Sequence, residues 1–482
     1  MKLVQVFTAG LSLLALAVLG ACSSEDAPAN DTAAVSSSSS DVLTSESLMQ
    51  AMGNESPLGL GCGWVAASDP DKANVAFPDS EAKYWVAAAP VSPQTRLRID
   101  GRYPDARYFS YNAYDVALRP TDAIADFELS PAGRGGNPFL RKGAKPGGQY
   151  TAYLEYGVSP TQSSEVPRKQ NTFYTGEVGL GPLGVPNGLA LFIYRVYVSN
   201  AGEFMDGGVG LPTLTLETAD GSRVLGTLPN CAEPTLPNGG GALPVLGLNE
   251  LLLGLDYPNQ LALPFPTATN PPTTARFYSL GDTAFRIASN VTGQDTNAVG
   301  GRVDSGSGGF LSNVHNAYTS TAFDRSGGSI ALVRAKAPSY RGQPGVEFKE
   351  EQLRYWSLCA NEFATQRFTD CAADHQVPLD DSGYFTVVIS DPADRPANAT
   401  AENGFVWLPW GPYPDQVLLY RHMLHNPDFG QAIQNVPKGT PLQTVMGEFT
   451  PKGVYCKPEV FVQSNRSSEV FALCEQDQNT NR

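Results

Sequence analysis

Histidine is scarce in this chain, with four among 482 residues. His315, His375, His422 and His425 all lie in the C-terminal part, and His422 and His425 follow an aliphatic run that reads as a strand. A spacing of three puts them on opposite strand faces, which disfavours shared metal ligation. No CxxC occurs, which argues against a redox pair or a zinc ribbon. HExxH, a Walker A loop and a GxGxxG between strand and helix are also missing. In VDSGSGG (303–309) the residue two before Ser307 is Ser305, and two before Ser305 is Val303, so no nucleophile elbow forms and a Gly-rich loop is the better account. These absences leave no catalytic residue, no metal ligand and no cofactor to assign. Long helical periodicity is scarce as well. There is no basic stripe; 48 acidic against 33 basic residues give a net charge of −15, which repels nucleic acid and otherwise serves solubility.

The N-terminus carries the clearest signal. MKLVQVFTAGLSLLALAVLGAC has one lysine and then an apolar run too short for a stable span, and residues 1–21 read as a signal peptide. Leu19-Gly20-Ala21-Cys22 resembles the bacterial lipobox, which implies cleavage before Cys22 and acylation of that cysteine. Ser23, rather than Asp, then favours the outer membrane. Residues 22–50 are polar, small and Ser-rich, a composition that predicts a flexible tether. The expected address is therefore the bacterial cell envelope, with the membrane as partner through N-terminal acyl chains.

Beyond Cys22, six cysteines remain, an even number suited to an oxidising compartment. Spacing favours Cys359 with Cys371 and Cys456 with Cys474, leaving Cys62 for Cys231; six cysteines allow about 15 pairings.

With 48 Gly, 38 Pro and short apolar alternations between them, the rest predicts an all-β protein. Four strand-like phrases recur in one order. TRLRIDGRYP (95–104), RYFSYNAYD (107–115), GQYTAYLEYG (148–157) and GLALFIYRVYVS (188–199) are followed by SIALVRAKAPSY (329–340), RYWSLCANE (354–362), SGYFTVVISD (382–391) and DQVLLYRHMLH (415–425). This points to an internal duplication, with a first β-sandwich domain over 51–233 and a second over 277–482. Between them, 234–276 reads as a Pro/Gly-rich connection with LNELLLGL as a short apolar helix.

RYWSLCANE, FTVVIS, FVWLPWG and VLLYRHML together resemble the bacterial domain of unknown function numbered 1214, often found beside the one numbered 1254. The first half lacks the Trp-Leu-Pro phrase. The resemblance implies tandem jelly-roll-like sandwiches and no particular activity.

Strand alternation puts Arg107, Phe109, Tyr111, Ala113 and Asp115 on one row, matched by Arg354, Trp356, Leu358, Ala360 and Glu362. This mostly apolar row is the expected core face. The other row, with Tyr108 and Ser110 against Tyr355 and Ser357, should face solvent, the partner domain or a cleft, and these four are ligand-binding candidates. Arg195 and Arg421 follow apolar residues at even spacing, so each needs a carboxylate; the expected pairs are Arg195 with Asp115 and Arg421 with Glu362. The stretches 67–85 and 390–402 are carboxylate-rich and could hold calcium, although Asp-Pro and Asp-Ser are ordinary turn formers. In FVWLPWGPYPDQ (405–416), the family resemblance implies that Trp407 of Trp-Leu-Pro is structural and core, while Trp410 and Tyr413 are candidates for an exposed aromatic platform suited to sugars or acyl chains.

Three functions fit these observations: binding of a glycan, lipid or apolar small molecule in or between the sandwiches; a carboxylate-dependent hydrolase acting on an extracellular polymer; and a structural envelope or assembly subunit. A cleft floored by carboxylates would favour the second, and exposed apolar patches the third.

Overall fold

The computed structural model describes residues 63–68, 74, 77–114, 120–160, 166–176, 190–202, 205–228, 268–277, 311–362, 367–437 and 440–480. Within them the chain is mostly strand, arranged in four sheets. The first sheet runs β1 (Trp64–Ser68), β2 (Ala82–Ala89), β8 (Ala190–Ser199), β4 (Ala106–Tyr114), β5 (Pro120–Ala125). The second runs β10 (Val224–Leu228), β9 (Thr213–Thr218), β3 (Thr95–Arg102), β6 (Gln149–Glu155), β7 (Thr172–Tyr174).

In the C-terminal part, the third sheet runs β11 (Thr274–Phe277), β12 (Asn316–Asp324), β18 (Asp415–His425), β14 (Leu353–Glu362), β15 (Arg367–Ala373). The fourth runs β17 (Val406–Pro409), β16 (Tyr384–Ser390), β13 (Ile330–Lys336), β19 (Lys452–Cys456). Adding ten to each strand number of the first sheet gives the third, and the second sheet maps onto the fourth in the same way except for its outer strand β10. Both halves also place a parallel pair at the same point, β6 with β7 and β16 with β17, among otherwise antiparallel neighbours. β11 overlaps the last three residues of the stretch expected to be connection, 234–276, and adds an edge strand to the second sandwich.

Each sandwich closes on its own core. Phe109 and Tyr111 of β4 and Tyr194 of β8 meet Leu97, Ile99 and Leu154 of the facing sheet. Trp356 and Leu358 of β14 and Tyr420 of β18 meet Val333, Phe385 and Val387. The apolar row of each repeated phrase is thus the core row, and the aromatic, β-branched composition suits it. In the second sandwich, α1 (Leu442–Met446) adds Leu442 and Met446 to the core between the sheets, while α2 (Pro458–Phe461) and α3 (Ser467–Thr480) cover the outer face, packing Phe461, Val470 and Phe471 onto Ile330, Leu332 and Val388. Cys359 and Cys371 stand directly opposite on β14 and β15 and are bonded, and Cys456–Cys474 ties β19 to α3. Cys22, Cys62, Cys231 and the segment LNELLLGL lie outside the described residues.

Candidate functional site: the seam between the sandwiches

The non-core rows of β4 and β14 do not face solvent. They face each other's sandwich, so these strands are buried on both sides and show no exposed alternation. Tyr108, Tyr197, Ala82, Tyr355 and Met423 form one apolar cluster drawn from both halves. Tyr197 packs against Tyr108 at 5.7 Å and against Tyr355 at 5.7 Å between ring centroids. Arg195 and Arg421 lie on this seam too. The core rows of β8 and β18 carry Tyr194 and Tyr420 instead, so the expectation that the arginines share the core row is corrected by one residue of pleat.

Arg421 sits in a complete set of partners. Its guanidinium is salt-bridged to Asp79, donates from Nε to the Tyr318 hydroxyl at 3.0 Å and from Nη1 to Ser357 Oγ at 3.1 Å, and reaches the Phe77 carbonyl through Nη2. Asp79 accepts from the Tyr355 hydroxyl at 2.8 Å and from Ser357 Oγ at 2.7 Å. Burial pulls the Arg421 guanidinium down to about 9, still above neutrality, so it meets Asp79 as a cation. The expected partner Glu362 is not the one that serves: Ser357 is the residue opposite Arg421, and Glu362 stands five residues further along β14. The carboxylate comes from the other sandwich.

Arg195 occupies the matching place on β8, opposite Ser110 on β4. Its Nη2 donates to the Leu311 carbonyl, as Arg421 Nη2 does to Phe77. Phe77 and Leu311 also share a φ of 53°. Two residues beyond each comes the divergence. After Phe77 stands Asp79; after Leu311 stands Asn313, which exchanges hydrogen bonds with the Tyr108 hydroxyl at 3.1–3.2 Å. His315 Nδ1 lies 2.9 Å from the same hydroxyl, and burial, with lesser pressure from Arg354 and Arg168, pushes this histidine down to about 4, so it is neutral at pH 7. Arg195 instead lies over the rings of Tyr84 and Tyr114, each 5.5 Å away. Its expected partner, Asp115, lies outside the described residues. Among the described residues, Nη1 of Arg195 has no hydrogen-bond partner.

Two reciprocal ion pairs frame the seam. Arg107 of the first sandwich pairs with Asp374 of the second, and Arg354 of the second pairs with Asp126 of the first at 3.1 Å. Each aspartate also accepts a backbone N–H at 3.1 Å, Asp126 from Phe109 and Asp374 from Trp356. Burial pushes the Asp126 carboxyl up, and Arg354 with the Phe109 amide pulls it back.

Of the ligand-binding candidates, Tyr108, Ser110, Tyr355 and Ser357 are brought to the seam, fully buried. Ser110 accepts from the Asn112 side chain at 2.8 Å rather than pairing with an aspartate as Ser357 does. The exposed platform does not form: Trp410 packs in the second core and Tyr413 is buried, whereas Trp407 is the partly exposed ring, stacked under Arg395 at 4.5 Å. The Pro- and Gly-broken stretch folds inward because the pairing of β17 with β16 carries Trp410 onto Phe323. Asp79 belongs to one of the two carboxylate-rich stretches, where it serves an arginine. No cluster of three or more His, Cys, Asp or Glu able to hold a metal occurs among the described residues. Asp79, Asn313, Asp126 and Asp374 were missed from sequence. Extending the repeat upstream would have shown two of them, since FPDSEAKY (77–84) aligns with LSNVHNAY (311–318).

No family model matches the chain, and no curated protein does. Among solved structures it is similar to an uncharacterised protein of Burkholderia cenocepacia, at 14% identity and a TM-score of 0.42, over 86% of this chain and 88% of that one. It is also similar to the VPA0106 protein of Vibrio parahaemolyticus, at 14% identity and a TM-score of 0.35, over 80% of this chain and 92% of that one. Likeness this distant transfers no role.

Proposed function

We propose that this is a bacterial cell-envelope lipoprotein, acylated at Cys22 and held at the outer membrane, whose two sandwiches, related by internal duplication and similar to the domain numbered 1214, bind a small ligand at their seam. One observation carries the binding reading. Three buried polar atoms on seam-facing rows, Arg195 Nη1, Asn316 Oδ1 and Asn361 Oδ1, have no hydrogen-bond partner among the described residues. Buried polar groups in native structures are nearly always satisfied, and each orphan costs roughly 1–3 kcal/mol. A ligand that supplies the partner missing at one of these atoms offsets part of that cost on binding. The glycan, lipid or apolar small molecule expected from sequence narrows here to one with polar groups.

One experiment tests both parts. The full mature chain, extracted in detergent micelles, is weighed by mass spectrometry under native and denaturing conditions. Acyl mass that persists on denaturation and maps to Cys22 supports the anchor, and its loss in Cys22→Ala completes the proof; an unmodified N-terminus overturns it. A further mass that leaves on denaturation supports the ligand, and a bare chain in the native spectrum overturns it.

A further inference from the structure

The seam contains an internal control. Two matching arginines are buried in matching frames, each capped through Nη2 by a backbone carbonyl of the opposite sandwich, each beside a serine of the repeated phrase. The atom that differs is Nη1. In Arg421 it holds Ser357 and the Asp79 carboxylate. In Arg195 it has no hydrogen-bond partner among the described residues, where the residue in the place of Asp79 is Asn313, turned to Tyr108. Arg195 is 3% exposed, so water cannot screen it, and no carboxylate bonds to it among the described residues. A buried guanidinium without a counter-ion is costly, and the fold has already shown at Arg421 which group relieves that cost.

We propose that Arg195 is the anchor of a ligand that presents a carboxylate, which takes Nη1 as Asp79 takes it in the other half. The inference rests on the reading that a ligand lies at the seam, and it gives that ligand's charge and head group. A buried cation to which no carboxylate bonds among the described residues calls for one negative charge. The planar fork of the guanidinium favours a carboxylate, the group it already binds at Arg421. The guanidinium carbon lies over the rings of Tyr84 and Tyr114, 5.5 Å from each, and these π faces stabilise the cation without replacing a counter-ion.

Acetate is the minimal probe, because any molecule whose carboxylate seats on Arg195 contains that group. Thermal unfolding of the full mature chain is followed across an acetate series at constant ionic strength set with chloride, with inorganic phosphate as a parallel series. The wild type should gain stability with the logarithm of acetate concentration once the site fills. Asn313→Asp should raise the midpoint without acetate and abolish the acetate response, since it installs the counter-ion that the other half carries. Arg195→Met should also abolish the response, and Asn313→Asp keeps the test valid if Arg195→Met fails to fold. A flat acetate series in the wild type, an equal response in Asn313→Asp, or a response to phosphate alone each overturns the carboxylate. A neutral molecule found by native mass spectrometry in both wild type and Arg195→Met would overturn it too, while leaving binding at the seam in place.

Discussion

Asp79 shows how much one side chain can decide in a buried seam. It accepts from Tyr355 and Ser357 and neutralises Arg421, three partners on strands of the other sandwich. Removing one member of a buried ion pair leaves an uncompensated charge, which costs about 3–5 kcal/mol, whereas replacing both members with apolar groups is often near neutral. Asp79→Asn should therefore lower the stability measured by urea unfolding at pH 7 by that amount. Adding Arg421→Met in the same chain should recover most of it. A loss under about 1 kcal/mol, the range of an exposed pair, would show that water reaches the guanidinium. The matching position already carries an amide, Asn313, so the protein itself holds both versions of this experiment.

At the scale of elements, helices cover the outer sheet of the second sandwich. α2 and α3 lay Phe461, Val470 and Phe471 on β13 and β16, and Cys456–Cys474 fastens that cover to the edge strand β19 across 18 residues of chain. A bridge closing a loop of this length contributes about 3 kcal/mol by constraining the unfolded chain. Cys456→Ser with Cys474→Ser should lower stability by about that much. In hydrogen exchange the loss of protection should fall on 467–480 and spare β14 and β18. Equal loss across both regions would mean that the cover and the sandwich unfold as one unit.

At the scale of the whole molecule, the two sandwiches grip each other reciprocally. Arg107 reaches Asp374, Arg354 reaches Asp126, and each aspartate is fixed by an amide of its own sandwich. Arg107→Met with Arg354→Met strands two buried carboxylates at the seam. Calorimetry should then resolve two unfolding transitions where the wild type shows one. Replacing one whole pair, Arg354→Met with Asp126→Leu, should keep the single transition. A double-arginine variant that still melts in one step would place the cohesion in the apolar cluster of Tyr108, Tyr197, Tyr355 and Met423.

Strand identity, the core rows of the repeated phrases and the two local disulfides were legible in the sequence, because alternation and short cysteine spacing are properties of neighbouring residues. α3 was not, since SSEVFALCEQDQNT carries too few apolar residues to announce a helix; its packing on the sheet through Val470 and Phe471 places it. The partners of Arg195 and Arg421 were not legible either. Even spacing pointed to rows on β8 and β18 but not to the row that faces the other sandwich, and Glu362 was nearer in sequence than Asp79. Alternation and turn chemistry were enough to specify an all-β chain, and an arginine that follows apolar residues at even spacing had to be answered by a charge or a hydrogen bond. That the answer comes from the opposite sandwich, and that no carboxylate bonds to Arg195 among the described residues, follows from the packing alone, because charges hundreds of residues apart meet only when two complete sheets pack face to face.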